Sequence, residues 1–291
     1  MAREVISRQA PISQNNRMAG SARPFSWTRP MLFTNLPLRY VADEPQYLEL
    51  FLAHGQCPEL GLDAMALDRF DPAWHSGTAR IFHQAGLTCA VHLPFFDLHP
   101  GSLDKLARQA FRDRLAQAVD VAGVYAPRHL IAHFDYNPVT YAHFKSQWLE
   151  HAVAGWDWLL GRIGDTPLYL ENVFEQEPEI PVSVLTALDG RVGACLDLGH
   201  WHCFAAGAVR KNLGTWLQAL KPFLMHLHLH DNDGSSDQHL GLGLGCIPWN
   251  ELWAYLDTTS TPVGATLEPH TAADFAVTRA YLDKHRPARW R

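Results

Sequence analysis

From residue 32 onward, short β-rich runs alternate with longer stretches of helical period, and this alternation constrains the fold more than any other feature. The runs fall at 32–38, 57–63, 87–93, 129–134, 167–172, 193–198, 223–229 and 264–268. Between and after them, apolar spacing predicts helices over 44–54 (opened by Asp43), 72–85, 103–123, 143–162, 180–189, 211–220, 249–256 and 271–285. Eight strand–helix units within residues 31–291 make a single α/β domain, a closed parallel (β/α)8 or TIM-type barrel, the expected architecture. An open doubly wound sheet is the alternative, but no GxGxxG follows the first run to support a dinucleotide site.

Composition narrows the setting. Hydrophobic residues make up 47% and charged residues 19%, enough apolar surface for a large core. A net charge of -6 offers no general attraction to a polyanion, which disfavours nucleic acid as a partner. The five cysteines are dispersed without a CxxC pair, so neither a disulfide framework nor a thiolate zinc site is expected, and a reducing cytoplasm fits. No apolar run is long enough for a membrane span. Residues 1–30 are polar and basic, and read as an arm outside the core, with Met31 an alternative start.

The chemistry gathers where the strands end. The third run closes on Val91-His92-Leu93-Pro94, the fourth on Ala132-His133-Phe134-Asp135 and the fifth on Leu170-Glu171-Asn172. The sixth closes on Asp197-Leu198-Gly199-His200, the seventh on His226-Leu227-His228-Leu229-His230-Asp231 and the eighth on Leu267-Glu268-Pro269-His270. In barrels of this class the active site forms at the C-terminal strand ends and the loops after them. Any one such histidine is more often a hydrogen-bonded structural residue than a ligand. Six consecutive strands ending in acid or imidazole are another matter. Apolar neighbours would bury Glu171 and Asp197, and no Lys or Arg lies in the adjoining windows to neutralise them. A divalent metal with nitrogen and oxygen ligands (Zn, Mn, Mg or Co) is the economical partner. Alternation sends His226, His228 and His230 to one face, so not all three need be ligands.

The segment 231–245 adds an Asp237-x-His239 pair among closely spaced glycines. With no GKS or GKT after them, the glycines read as loop turns rather than a phosphate cradle. The DNDG stretch lacks the spacing and terminal Glu of a calcium loop.

At VHLP, LEN, CLDLGH, HLHLHD, DQH followed by GLG, and the final LEP, residues 31–285 resemble the xylose isomerase-like TIM-barrel superfamily. That superfamily (AP endonuclease family 2) joins sugar and sugar-phosphate isomerases and epimerases to endonuclease IV-like nucleases. In its epimerase branch one divalent ion is held by four residues, whose places here are Glu171, Asp197, His228 and Glu268. The same resemblance makes Glu171 and Glu268 the acid/base pair flanking the sugar. In the nuclease branch nine ligands hold three zinc ions, which adds His92, His133, His200, Asp237 and His239. The four carboxylates carry -4, so three divalent ions leave +2, suited to a phosphodiester, whereas one leaves -2, suited to a neutral sugar. The nuclease pattern departs at Val173–Glu179, an acidic mouth loop, and at His230-Asp231-Asn232-Asp233, where a basic residue is missing.

The resemblance therefore implies a metal-dependent sugar or sugar-phosphate isomerase or epimerase holding one to three ions. A multi-zinc hydrolase of a small phosphodiester or, less favoured, of apurinic DNA is the alternative, and a non-catalytic metal- or sugar-binding barrel is the third reading. The partner expected is a small sugar or phosphoester, and barrels of this type often pair as homo-oligomers. Asn172, Trp201, His202, Asp231, Trp249 and His270 are candidate substrate contacts, with Arg39 and then Arg69 the best-placed cations for a phosphate.

Overall fold

In the computed structural model, which describes residues 31–287 and Trp290, eight parallel strands close into a barrel in chain order. The strands are β1 (Leu32–Pro37), β2 (Pro58–Gly61), β3 (Ala90–His92), β4 (Leu130–His133), β5 (Leu168–Glu171), β6 (Gly193–Asp197), β7 (Leu224–Leu229) and β8 (Gly264–Leu267). All eight expected runs are strands, each within its expected span. The outer ring comprises α1 (Pro45–Ala53), α2 (Pro72–Gln84), α3 (Lys105–Val124), α4 (Lys145–Ile163), α5 (Glu179–Ala187), α6 (Leu213–Leu220), α7 (Trp249–Thr258) and α8 (Ala272–His285). The arm expected at residues 1–30 lies outside the described residues. Among those described, no helix is long and apolar enough to cross a membrane, and the five cysteines are free thiols.

Helix starts follow side-chain chemistry. Asp104 accepts from the Leu106 and Ala107 amides at the head of α3, Asp71 from the Trp74 amide at α2, and Thr271 from the Asp274 amide at α8. Asp43 does not open α1 as expected. It ends a short helix, Leu38–Asp43, and its carboxylate takes a forked pair of bonds from Arg69 at 2.6 and 2.8 Å. The bidentate ion pair outcompetes the cap.

The barrel separates two interiors. Leu130, Leu168, Leu170, Leu196, Leu227 and Leu229 point outward into one continuous core against the helices. The alternate residues point inward, and they are chemically different: Phe33, Glu59, His129, Ile131, Tyr169, Cys195, His226, His228 and Thr266 fill the barrel. Register then levels the strand ends. Asp197 stands opposite His228 and His133 opposite Glu171, so the ligand-type residues arrive at one height.

Candidate metal centre

At that height the inward side chains converge. Glu171 and Asp197 are 1% and 0% exposed, and His228 and Glu268 are likewise buried. His228 Nδ1 lies 3.2 Å from Glu171 Oε2, 3.3 Å from Glu268 Oε1 and 3.8 Å from Asp197 Oδ2. His92 Nε2 and His133 Nε2 approach Glu171 Oε2 at 3.0 and 3.4 Å, and His200 Nδ1 approaches Glu171 Oε1 at 3.0 Å. On the other flank, Asp237 meets His239 Nε2 at 3.1 Å, His200 Nε2 at 3.5 Å and His230 Nε2 at 3.6 Å. All nine residues drawn from the sequence pattern are thus brought into one cluster, and His230 joins as a tenth.

The imidazoles are set as metal ligands are. His92 Nδ1 donates to the Leu93 carbonyl (2.9 Å), His200 Nδ1 to the Asn172 carbonyl (3.0 Å) and His239 Nδ1 to the Glu268 carbonyl (2.8 Å). In His92 and His239 one nitrogen is fixed by the backbone and the other is turned to a carboxylate, and His200 presents Nε2 to Asp237 while its Nδ1 is shared between the Asn172 carbonyl and Glu171; a backbone acceptor of this kind is how a fold sets the tautomer of a ligating histidine. Both ring nitrogens of His228 are buried without a hydrogen bond, as is Asp237 Oδ1. Buried polar atoms left so cost free energy, and a cation among them would satisfy the donor set. The residues present therefore fit a divalent ion. Four tripods in the cluster have ligand atoms close enough for one: His92–Glu171–His228, Asp197–His200–His230, His230–His239–Glu268 and, with Glu59 of β2, Glu59–His228–Glu268.

The electrostatics of the side chains agree. Burial disfavours the charged form of Glu171, but His228 and His133 outweigh it and hold the carboxyl well below its usual range. Glu268 is pushed up by burial and by the Asp197 and Glu171 charges. Burial opposes the charged forms of His228 and His200, yet both are raised well above the ordinary imidazole value because carboxylates surround them.

Asp197 does double service. Its Oδ1 accepts from the His200 amide at 2.6 Å, capping the short helix Leu198–Cys203, while Oδ2 faces His230 at 3.3 Å. Gly199 in that helix packs directly against His230: a Cβ there would come within 1.9 Å of the ring. Gly199→Ala is expected to cost about 1–3 kcal/mol by overpacking, read from urea unfolding, and to weaken metal binding in parallel.

Several residues suggested as substrate contacts are engaged in hydrogen bonds with neighbouring groups. Asn172 clamps Asp197 through both backbone groups, Trp201 donates to Asn212, and His202 bonds Asn232. Asp231 is fully buried and accepts from Gly243, Ile247 and the Trp249 indole, so Asp231 and Trp249 tie down the loop that carries Asp237 and His239. His270 is exposed, stacked on His239 at 4.0 Å. Arg39 is paired with Asp63 and Arg69 with Asp43. His270 aside, these side chains are held by neighbours that offer complementary donors and acceptors, which sequence position alone does not reveal.

The acidic mouth loop is also tamer than expected. Arg210 pairs with Glu177, and Glu175 is buried, accepting from the Tyr136 and Val173 amides at 2.7 Å each. Burial pushes its carboxyl up to about 7, against the backbone amides that lower it. A carboxyl raised in the folded state stabilises fully below the unfolded value near 4.5, and that contribution is lost as pH rises through about 7. The expected loss is roughly 3 kcal/mol between those limits. It should appear as a pH-dependent gap in unfolding free energy between the wild type and Glu175→Ala; a gap that does not change with pH would refute it.

Aromatic rings surround the cluster. Phe95 stacks on His133 at 4.3 Å and Phe204 on His200 at 5.5 Å, with Phe174 beside Phe204 and Phe96 largely exposed at the rim. The sequence reading missed Phe95, Phe204, His230 as a cluster member, and Glu59 of β2, whose Oε1 lies 3.1 Å from His228 Nε2. For Glu59 the signal existed: a single acid inside an apolar run.

The profile of the family described as xylose isomerase-like TIM barrel matches residues 55–285. The chain belongs to this family. No curated protein matches it significantly. Among solved structures, a D-tagatose 3-epimerase-like protein is similar over 88% of this chain and 96% of its own, at 20% identity and a TM-score of 0.73. The TTHB071 protein from Thermus thermophilus, from a crystal soaked with ZnCl2, covers 88% and 99% at 27% identity and a TM-score of 0.66. D-psicose 3-epimerase from Clostridium cellulolyticum, with D-tagatose, covers 87% and 98% at 17% identity and a TM-score of 0.67. The two epimerase likenesses establish the shared fold.

Proposed function

We propose that this barrel is a divalent-metal-dependent isomerase or epimerase of an uncharged sugar, working through Glu171 and Glu268. The observation that carries the reading is the meeting of both glutamates and Asp197 at one buried imidazole nitrogen, His228 Nδ1. Glu171, Asp197, His228 and Glu268 would hold the ion, and a bound ion would polarise the sugar carbonyl and its neighbouring hydroxyl. Glu171 and Glu268 would then exchange the proton on the carbon beside that carbonyl, one removing it and the other returning one. His92, His133 and His200 fix Glu171 from three sides. Phe95 and Phe204 offer apolar faces for the C–H side of a sugar and help exclude water.

Among the described residues, Arg39 is paired with Asp63, Arg69 with Asp43 and Arg210 with Glu177, which favours a free sugar over a sugar phosphate. The epimerase structures named above, one carrying D-tagatose, support the same class, and the ZnCl2-soaked relative supports zinc among the metals to be tried. The test is incubation of the metal-loaded protein with free ketohexoses in deuterium oxide. Deuterium entering carbon next to the carbonyl, with an epimer formed, is the expected result; no exchange across the panel would refute the reading.

A second reading has its own observation. His200, His230 and His239 complete further tripods beside the first, with Asp237 in reach of all three rings, more ligands than a one-ion epimerase uses. A multi-metal phosphodiester hydrolase would bind near three ions in this cluster and cleave a simple diester such as bis(p-nitrophenyl) phosphate. Failure to cleave, with one ion in the cluster, would exclude it.

A further inference from the structure

Below the cluster, the inside of the barrel holds a second set of ligand atoms. Glu59 Oε2 lies 3.8 Å from His129 Nε2 and 3.7 Å from His226 Nε2, and the three residues are 1–3% exposed. Thr266 Oγ1 donates to Glu59 Oε2 at 2.6 Å and stands 2.8 Å from His226 Nε2. Phe33 and Tyr169 wall this space, with ring centroids 5.2 and 4.9 Å from that of His129. From these residues we infer that Glu59, His129 and His226 form a closed cation site for zinc or a similar ion, separate from the centre above.

Three observations converge on it. The two nitrogen–oxygen separations are too long for hydrogen bonds, yet close to the roughly 3.4 Å between neighbouring ligands of a tetrahedral zinc. His129 Nε2 is buried with no hydrogen bond while aimed at the carboxylate, a costly position unless something lies between them. Finally, the donor set itself suits an ion: one ligand atom from each of Glu59, His129 and His226 lies within 4.8 Å of the other two, all three residues are buried, and two imidazoles with one carboxylate are a set that zinc takes.

Binding requires only that His226 carry its ring proton on Nδ1, freeing Nε2 for the ion. Thr266 would then hold Glu59 in place as an outer hydrogen-bond donor. With no opening to solvent at these residues, the ion would enter as the barrel folds and leave slowly. Glu59 also faces His228 through its other oxygen, so the lower ion and the upper centre would share one carboxylate–imidazole link.

Two measurements on the full chain decide it. Crystals of wild-type protein loaded with zinc alone should give an anomalous-scattering peak within coordination distance of Glu59 Oε2, His129 Nε2 and His226 Nε2. Peaks confined to the upper cluster would overturn the site. In solution, His129→Phe, which fills the aromatic pocket without a donor, should bind one ion fewer per chain by elemental analysis while keeping the upper ions. An unchanged count in a folded His129→Phe protein would also overturn it, and the wild-type crystals answer the question should that variant not fold. Neither result depends on which reaction the upper centre performs.

Discussion

Glu171→Gln is expected to abolish solvent-deuterium exchange into a ketose, lowering turnover by at least about 10²–10⁴, the usual worth of a positioned acid or base. The loss is argued from position. Glu171 receives His92, His133, His200 and His228 at 3.0–3.4 Å, so a neutral amide would forfeit the charge and replace one of its two acceptor oxygens with a donor facing those rings. Glu268→Gln should act similarly on exchange but disturb the cluster less, since Glu268 meets His228 at 3.3 Å and the other imidazoles only at 3.9 Å or beyond. Circular dichroism should confirm that both variants keep the barrel. Retained exchange in both would remove the glutamate pair from the mechanism.

Stripping the metal should produce the largest change in stability. An ion present at about a thousand times its dissociation constant stabilises the folded chain by about 4 kcal/mol. For a chain of this size that corresponds to a fall in Tm on the order of 10 °C on chelation. The metal-free protein compensates its carboxylates with protons instead. Burial opposes the charged form of His239, but Asp237 and Glu268 outweigh it and raise the imidazole to about 9, so its contribution to the metal-free protein is complete below the ordinary value near 6.5. It is lost as pH rises through about 9. The Tm gap between loaded and stripped protein should therefore widen from about pH 6.5 to about pH 9, and metal binding should release protons. A gap that stays constant or narrows over that range would contradict the ligand role of His239.

How much of this could be read from the sequence follows from which signals are local. The strands were legible because each is a short apolar run bounded by turn residues, and Asp197, His200 and His228 stood out as polar residues at the ends of such runs. The short helix Leu198–Cys203 was not legible, because six residues carry too little periodicity to mark a helix. The surroundings of other residues were hidden for a common reason. Asp231 and Trp249 are far apart in sequence yet bond each other at 2.8 Å, and Glu175 turns inward to meet the Tyr136 amide, so each is defined by a partner no local pattern contains. Glu59 was hidden differently: it sits mid-strand, two residues before the strand's end at Gly61.

The loop hung from Asp231 gives the protein two separable points of failure. The barrel rests on its outward leucines and helices, whereas Asp237 and His239 reach the centre only because one buried carboxylate gathers Gly243, Ile247 and Trp249 beneath them. Damage at that knot would leave a fully wound barrel with part of its crown loosened. In this architecture, a well-folded protein is no guarantee of a complete centre.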